Sequence, residues 1–275
     1  MSKKKNLRAG LKIGAAALFL AGAAVFLERL AKAVKEPENI DDDNPYLEPS
    51  YIGNGWDEPD AIMQEPEGPT VYERFGKRAL DKIISFLGLV ALAPLFGLIA
   101  AAIEIDDPGP VLFKQKRVGK DKRFFEIHKF RSMKKSAPTD VPIEKFEDQE
   151  EYMTRVGRFL RRTYLDELPQ LWDVFRGKMS LVGPRPVIWN TTELIQERDK
   201  YGANSVMPGI TGPAQINGGI RLNNIEKAEW DGKYVKTLRA GNLEGFLADA
   251  ECIVRTVETA GAGFDTEEVK SNKNE

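Results

Sequence analysis

The run Arg161-Arg162-Thr163-Tyr164-Leu165-Asp166-Glu167-Leu168-Pro169-Gln170 is the stretch from which the rest of this chain can be read. Beyond it, Leu168, Leu171, Val174 and Phe175 recur at helical spacing. Pro169 is tolerated only in a first turn, where its missing N–H would have had no partner, so a helix is expected to start at about Asp166. Taken alone, Asp166 reads as an ordinary N-cap with Glu167 favouring the helix dipole. Its surroundings argue for more. Two arginines lie one turn upstream, and downstream come two rigid turns, Gly183-Pro184-Arg185-Pro186 and Pro208-Gly209-Ile210-Thr211-Gly212, which a plain helical bundle does not need. A carboxylate at a helix N-terminus, beside guanidinium groups and backbone N–H donors, is expected to stay ionised and to face a site suited to phosphate.

Composition narrows the chemistry. With 275 residues and a net charge of −2, the chain can hold one full domain plus appendages, and nucleic acid is not an expected partner. One cysteine, Cys252, cannot form an internal disulfide, which fits a reducing compartment. One histidine, His128, leaves no His/Cys metal cluster and only one way to build a Ser-His-Asp triad. Acid, base or nucleophilic work therefore falls to carboxylates, with a hard cation as the natural helper.

Toward the N-terminus, residues 11–27 are apolar and rich in Ala and Gly, with Lys3, Lys4, Lys5, Arg8 and Lys12 before them and Arg29, Lys32 and Lys35 after. That pattern suits a short transmembrane helix, an interfacial helix or a signal-peptide core. Residues 36–70 are acidic and broken by Pro37, Pro45, Pro49, Pro59, Pro66 and Pro69, and are expected to be an extended linker. Its Tyr46, Tyr51, Ile52 and Trp56 read as scattered apolar residues or as a docking segment for a partner chain.

Tyr72, Phe75, Ala79 and Leu80 fall at helical spacing with Lys77, Arg78 and Lys82 alongside, as expected for a basic amphipathic helix on anionic lipid, and lead into a second apolar stretch, residues 83–103. That stretch is long enough to cross a bilayer, but Pro94 sits in its middle and basic residues lie on both flanks. The positive-inside rule then places both ends in the cytoplasm, which a Pro-broken helix entering and leaving by one face satisfies. Two ordinary spans, 11–27 outward and 83–103 inward with the acidic linker outside, are the alternative. Beyond, residues 111–116 and 123–130 read as strands joined at Gly119-Lys120-Asp121, followed by a polar loop, a helix ending near Arg161, and two further helices at 226–234 and 246–257.

Three motifs, Tyr164-Leu165-Asp166-Glu167-Leu168-Pro169-Gln170-Leu171, Met179-Ser180-Leu181-Val182-Gly183-Pro184-Arg185-Pro186 and Pro208 through Gly218, occur together with Gly109-Pro110-Val111-Leu112-Phe113 and Lys129-Phe130-Arg131-Ser132-Met133. In this order they resemble the bacterial sugar transferases, the monotopic polyprenyl-phosphate phosphoglycosyl transferases, over roughly residues 72–257. The resemblance implies a re-entrant helix, although Ala93 stands where the family commonly has Ser before the Pro. It implies transfer of a sugar 1-phosphate from a UDP-sugar to polyprenyl (undecaprenyl) phosphate with release of UMP, the first step of capsule, exopolysaccharide or glycoconjugate synthesis. Asp166 would be the nucleophile that forms a phospho-aspartyl intermediate, and Glu167 would place Mg²⁺, the one cofactor implied. Arg161 matches a family arginine near the phosphates, and Arg131 belongs to the Lys-Phe-Arg motif or is a cation near lipid headgroups. Arg185 reads as a phosphate clamp or a rigid corner, and Gln215 and Asn217 as pocket-lining or turn-forming amides. Where the family often has Arg after Asn-Gly, this chain has Gly219, and its next basic residue is Arg221. Lys227, Asp231 and Tyr234 also match family positions but read as a solvated helix face.

The expected architecture is an α-rich α+β chain. Residues 1–35 would be a basic membrane-associated segment, 36–70 an acidic Pro-rich linker, and 71–105 an interfacial and Pro-broken, re-entrant membrane helix. Residues 106–258 would form a small cytoplasmic catalytic domain with a short β-hairpin and several helices, and 259–275 a disordered tail. The chain would sit on the bacterial cytoplasmic membrane, with membrane lipid, a homodimer or pathway glycosyltransferases as further partners. A non-catalytic membrane scaffold that binds nucleotide-sugar or partner proteins is the rival reading.

Overall fold

The computed structural model describes residues 40–47, 68–138 and 149–261, the last three by backbone alone. The expected N-terminal membrane segment, most of the acidic linker, residues 139–148 and most of the tail lie outside the described residues.

A π-turn, Tyr72–Gly76, opens into helix α1, Lys77–Asp106, and together they are long and apolar enough to cross a membrane. The helix continues through Pro94 rather than stopping there, so the expected interruption is not one of helical structure. Its buried residues are Lys77, Asp81, Ser85, Leu89, Ala93, Phe96, Ile99 and Ile103. At about 100° per residue, steps of four carry this contact line one way around the helix as far as Ala93, and the two steps of three that follow, to Phe96 and Ile99, bring it back. Both halves thus lie on the same body of protein. Near its start the backbone N–H of Leu181 donates to Asp81 Oδ1 at 3.0 Å, midway the rings of Phe96 and Phe130 meet at 5.7 Å, and at its end Val156 N–H donates to Asp106 Oδ2 at 2.9 Å. Leu89, Phe96, Ile99 and Ile103 share a core with Phe130 and Leu160, each such side chain contributing about 1.5–3 kcal/mol by burial. The opposite side of α1 exposes Leu80, Ile83, Ile84, Leu87, Leu98 and Ile105.

Strands β1, Leu112–Val118, and β2, Phe124–Phe130, form the expected antiparallel hairpin. Its turn holds Asp121 and Lys122 at positive φ of 54° and 61°. Next come α2, Gln149–Tyr152, and α3, Arg155–Arg162, where Thr154 caps by accepting from Gly157 N–H at 2.9 Å. Helix α4 is Gln170–Phe175. The two Gly/Pro motifs, expected only as turns, also pair: β3, Ser180–Val182, runs parallel to β4, Gly209–Thr211. A Cβ on Gly183, Gly209 or Gly212 would strike the backbone of the facing segment, so these glycines permit the close approach. Helix α5, Thr192–Lys200, lies between them in sequence, and α6, Pro213–Ile216, α7, Asn224–Ala240, and α8, Asn242–Gly261, complete the fold.

The linker reading needs one correction. Residues 40–47 dock on this chain itself: Tyr46 is buried against Phe124 and Ile195, and its hydroxyl donates to the Trp189 carbonyl at 2.7 Å. Asp41 accepts from Phe124 N–H at 2.7 Å, and Asn44 donates to the Lys122 carbonyl at 2.9 Å. Tyr51, Ile52 and Trp56 lie outside the described residues.

Candidate active site

Helix α3 ends at Thr163, and Tyr164 reverses the chain in the left-handed region at φ 55°. A 3-10 turn, Leu165–Glu167, follows, and α4 begins only after Pro169. Asp166 therefore sits inside a tight turn four residues before the helix and makes no capping bond, contrary to the N-cap reading. Its carboxylate secures no capping bond and lies instead in the field of Lys129, Arg161 and Arg185.

Glu167 is held differently from its neighbour. Lys129 Nζ donates to Glu167 Oε1 at 2.7 Å, and the Arg185 guanidinium forks onto both carboxylate oxygens, at 3.3 Å to Oε2. Burial by itself would raise the Glu167 carboxyl, but Arg185 and Lys129 outweigh it and hold the group well below the usual carboxylate range. Asp166 moves the other way. Burial pushes it up to about 6, Glu167 adds to the rise, and Lys129, Arg161 and Arg185 restrain it. The expectation that Asp166 is firmly ionised thus belongs to Glu167. Two adjacent carboxyls with proton affinities driven apart are the pattern of a site where one anchors charge and the other reacts.

Several elements deliver this cluster. Strand alternation on β2 presents Lys129 to Glu167, while His128 beside it is fully buried on the other face, its Nδ1 at 2.7 Å from Asp173 Oδ1. Arg161, in the last turn of α3, is close enough to pull on Asp166 and rests its Nε on Ser132 Oγ at 3.0 Å. Arg185 leaves β3 through Gly183-Pro184, and its own carbonyl accepts from Arg198 Nη1 at 3.0 Å. Arg198 is in turn paired with Asp231 at 2.7 Å, and both are buried. Asp231 and Tyr234 accordingly face the interior, not the solvent expected for that stretch of α7.

Other candidates are not brought to the dyad. Arg131 is engaged by the carboxylate and carbonyl of Asp107, at the end of the hairpin. Gln215 donates to the Ile210 carbonyl at 2.9 Å, and Asn217 bonds Pro213 O and Arg255, contacts that knit α6 to its neighbours. The Lys-Phe-Arg motif by itself gives Lys129 no role, although on β2 it is only half-buried between the buried His128 and Phe130. Among the described residues no group of three His, Cys, Asp or Glu gathers to hold a metal. Both Glu167 oxygens are engaged by Lys129 and Arg185, so this carboxylate has only its remaining lone pairs to offer a divalent ion.

Residues 72–262 match the model of the bacterial sugar transferases. The chain belongs to that family. Relatives within it include the UDP-glucose:undecaprenyl-phosphate glucose-1-phosphate transferase of Escherichia coli, 41% identical over 170 residues, covering 59% of this chain and 36% of that protein. The undecaprenyl-phosphate glucose phosphotransferase of Komagataeibacter xylinus is 47% identical over 152 residues, covering 54% of this chain and 29% of the relative. The exopolysaccharide production protein ExoY of Sinorhizobium fredii is 33% identical over 196 residues, covering 66% of this chain and 83% of its own. The chain thus spans about a third of the length of the two transferases and most of ExoY.

Proposed function

We propose that this sugar transferase moves a sugar 1-phosphate from a UDP-sugar to polyprenyl phosphate, releasing UMP and leaving a polyprenyl-diphosphate-sugar. The observation that carries this reading is the pair itself: an uncapped, buried Asp166 beside a Glu167 locked by Lys129 and Arg185. Asp166, once ionised, attacks the phosphorus that bears the sugar. The P–O bond to the uridine phosphate breaks, UMP takes that oxygen's electron pair, and an acyl phosphate remains on Asp166. The lipid phosphate then attacks the same phosphorus and returns the carboxylate. Arg161, Arg185 and Lys129 neutralise the diphosphate as it enters. Mg²⁺ would be held by Glu167 together with substrate phosphate oxygens, and when bound it would supply charge neutralisation for the departing monophosphate.

Membrane placement follows from α1, whose outward side is apolar along its length. Re-entry from the cytoplasmic side is supported by the contacts of both its ends with one domain. The rival reading, a non-catalytic scaffold, gives the locked Glu167 and the uncapped Asp166 nothing to do.

Purified protein in detergent, given Mg²⁺, polyprenyl phosphate and a panel of UDP-sugars led by UDP-glucose, should release UMP. Double-reciprocal plots should be parallel, and a stoichiometric UMP burst should appear when lipid phosphate is withheld. Intersecting lines with no burst would replace the covalent route by direct in-line transfer. No UMP from any UDP-sugar would leave the scaffold standing.

A further inference from the structure

Residues 40–47 lie outside the stretch that matches the family, yet they are built as a folded turn. Asn44 N–H donates to the Asp41 carbonyl at 3.0 Å and Asn44 Nδ2 to Asp41 Oδ1 at 2.8 Å, and Pro45 opens a 3-10 turn, Pro45–Leu47. The ring of Pro45 fixes its φ, which leaves the turn little freedom to lose on docking. Tyr46 is turned inward at 3% exposure, whereas Asp42, Asp43 and Leu47 stay exposed.

What Tyr46 holds is one end of the segment that begins at Arg185. Every carbonyl from Arg185 to Trp189 accepts a hydrogen bond. Arg198 Nη1 donates to Arg185 at 3.0 Å, Arg117 Nη1 to Pro186 at 3.1 Å, Val118 N–H to Val187 at 3.0 Å and Thr191 N–H to Ile188 at 3.0 Å. The Tyr46 hydroxyl closes the series on Trp189 at 2.7 Å, with Thr192 Oγ1 3.3 Å from the same hydroxyl. Around this bond the Tyr46 ring meets Phe124 edge-on at 6.1 Å and packs with Val118 and Ile195. The Lys116 ammonium lies over the Phe124 and Trp189 rings at 5.0 and 5.2 Å, joining the hairpin to the same end.

Without Tyr46 the Trp189 carbonyl loses its donor and the space between the hairpin and α5 loses its largest side chain, so the segment is held firmly only toward Arg185. A guanidinium that must meet both Glu167 and a diphosphate is sensitive to such slack, since a displacement of about 1 Å far from the chemistry can cost on the order of a hundredfold in rate. We propose that residues 40–47 are a strap and that Tyr46 is a positioning residue for Arg185, fixing the Trp189 end of its segment so that the guanidinium is set for the nucleotide-sugar's diphosphate. The inference rests on the transfer reading and adds to it a part of the chain that the family match does not include.

The test uses the full chain in detergent as wild type, Tyr46→Ala, Tyr46→Phe and, as a control on the exposed side of the strap, Asp42→Ala. Amide hydrogen exchange is read at Val118, whose N–H donates to Val187, and at Gly183, whose N–H donates to Thr211 in the β3–β4 pair. Tyr46→Ala should speed exchange at Val118 by about tenfold and leave Gly183 unchanged. Its KM for the UDP-sugar should rise about tenfold with kcat within about twofold of wild type, the mark of lost substrate binding at an intact reacting centre. Tyr46→Phe keeps the ring and loses only the bond to Trp189, so KM should rise about threefold, and Asp42→Ala should match wild type. Faster exchange at both amides, with kcat lowered and KM unmoved, would make Tyr46 a stabilising residue only and overturn the assignment. Unchanged exchange at Val118 in Tyr46→Ala would overturn the strap itself; should that variant fail to fold, an unmoved KM in Tyr46→Phe would overturn the positioning role. A wild type that releases no UMP would reject the transfer reading, and the exchange at Val118 would still decide the strap.

Discussion

Asp166 carries a cost that its neighbour does not. Its folded-state carboxyl titrates near 6, above its ordinary 3.8, so the folded protein holds the proton more tightly than the unfolded chain. Stability should therefore fall as pH rises from about 4 to about 6, by on the order of 3 kcal/mol, and stay reduced above that. Asp166→Asn removes the charge that causes this. It should abolish UMP release while raising the thermal midpoint by several degrees at pH 7.5, and the gain should shrink at pH 5, where the native carboxyl is already mostly protonated. Activity within about tenfold of wild type would return Asp166 to a structural role. In wild type, kcat/KM should rise through pH 6, with about a tenth of its plateau at pH 5. Lys129 is the strongest charge restraining that titration. Lys129→Gln should shift the pH profile toward alkaline values as well as lower the rate, and Lys129→Arg should largely restore its position. A drop in rate with an unmoved profile would make Lys129 a packing residue only.

Between elements, the Arg198–Asp231 pair joins α5 to α7 and reaches the site through the Arg185 carbonyl. Removing one member leaves a buried charge alone, so Asp231→Ala should cost about 3–5 kcal/mol in denaturant unfolding. The double change Arg198→Met/Asp231→Leu should recover most of that stability yet not the activity, because the Arg185 carbonyl still lacks its donor. Recovery of both would detach the pair from the site. This pair also marks where reading from residues alone fell short. Helical spacing in 168–175, alternation in the hairpin and the apolar set near Phe246 are local signals, and α4, β1, β2, α7 and α8 lie within a few residues to a turn or two of the expected positions. Asp166, Glu167, Arg161 and Arg185, which the Asp-Glu-Leu-Pro and Gly-Pro-Arg-Pro motifs and the resemblance single out, lie in one charged cluster, and the part each plays in the chemistry is the proposal made above. Asp231 was not, since a charged residue on a helix looks solvated until its partner, 33 positions away, is known. Strands β3 and β4, three residues each, are too short to show a period. Tyr46 stands in an acidic, Pro-rich stretch with no periodicity at all.

At the scale of the whole molecule, Tyr46 bears on topology. The two-span alternative puts residues 36–70 outside the cell, yet that stretch is held to the domain at two places. Its segment 40–47 lies on the hairpin and on Trp189, and Thr70, near its end, donates to the Leu238 carbonyl at 3.4 Å. Beyond the linker, Tyr72 and Lys77 both donate to Asp249 at 2.7 Å, and at the other end of α1 Asp106 and Asp107 bind Val156 and Arg131. A straight crossing that carried Tyr72 outward would have to break the contacts with Asp249 and the Leu181 bond to Asp81, all on the side that holds Asp166. Re-entry keeps them. Single cysteines in a Cys252→Ser background can decide between the two: Asp43→Cys in the docked segment, Gly68→Cys, where an added Cβ meets nothing within 4 Å, and Lys236→Cys on the exposed side of α7. Spheroplasts treated with a membrane-impermeant thiol reagent should label none of the three until the membrane is opened, after which all should react. Labelling of Asp43→Cys and Gly68→Cys in sealed spheroplasts, with Lys236→Cys protected, would instead mean that α1 crosses the bilayer and that the docking of Tyr46 does not hold in the membrane.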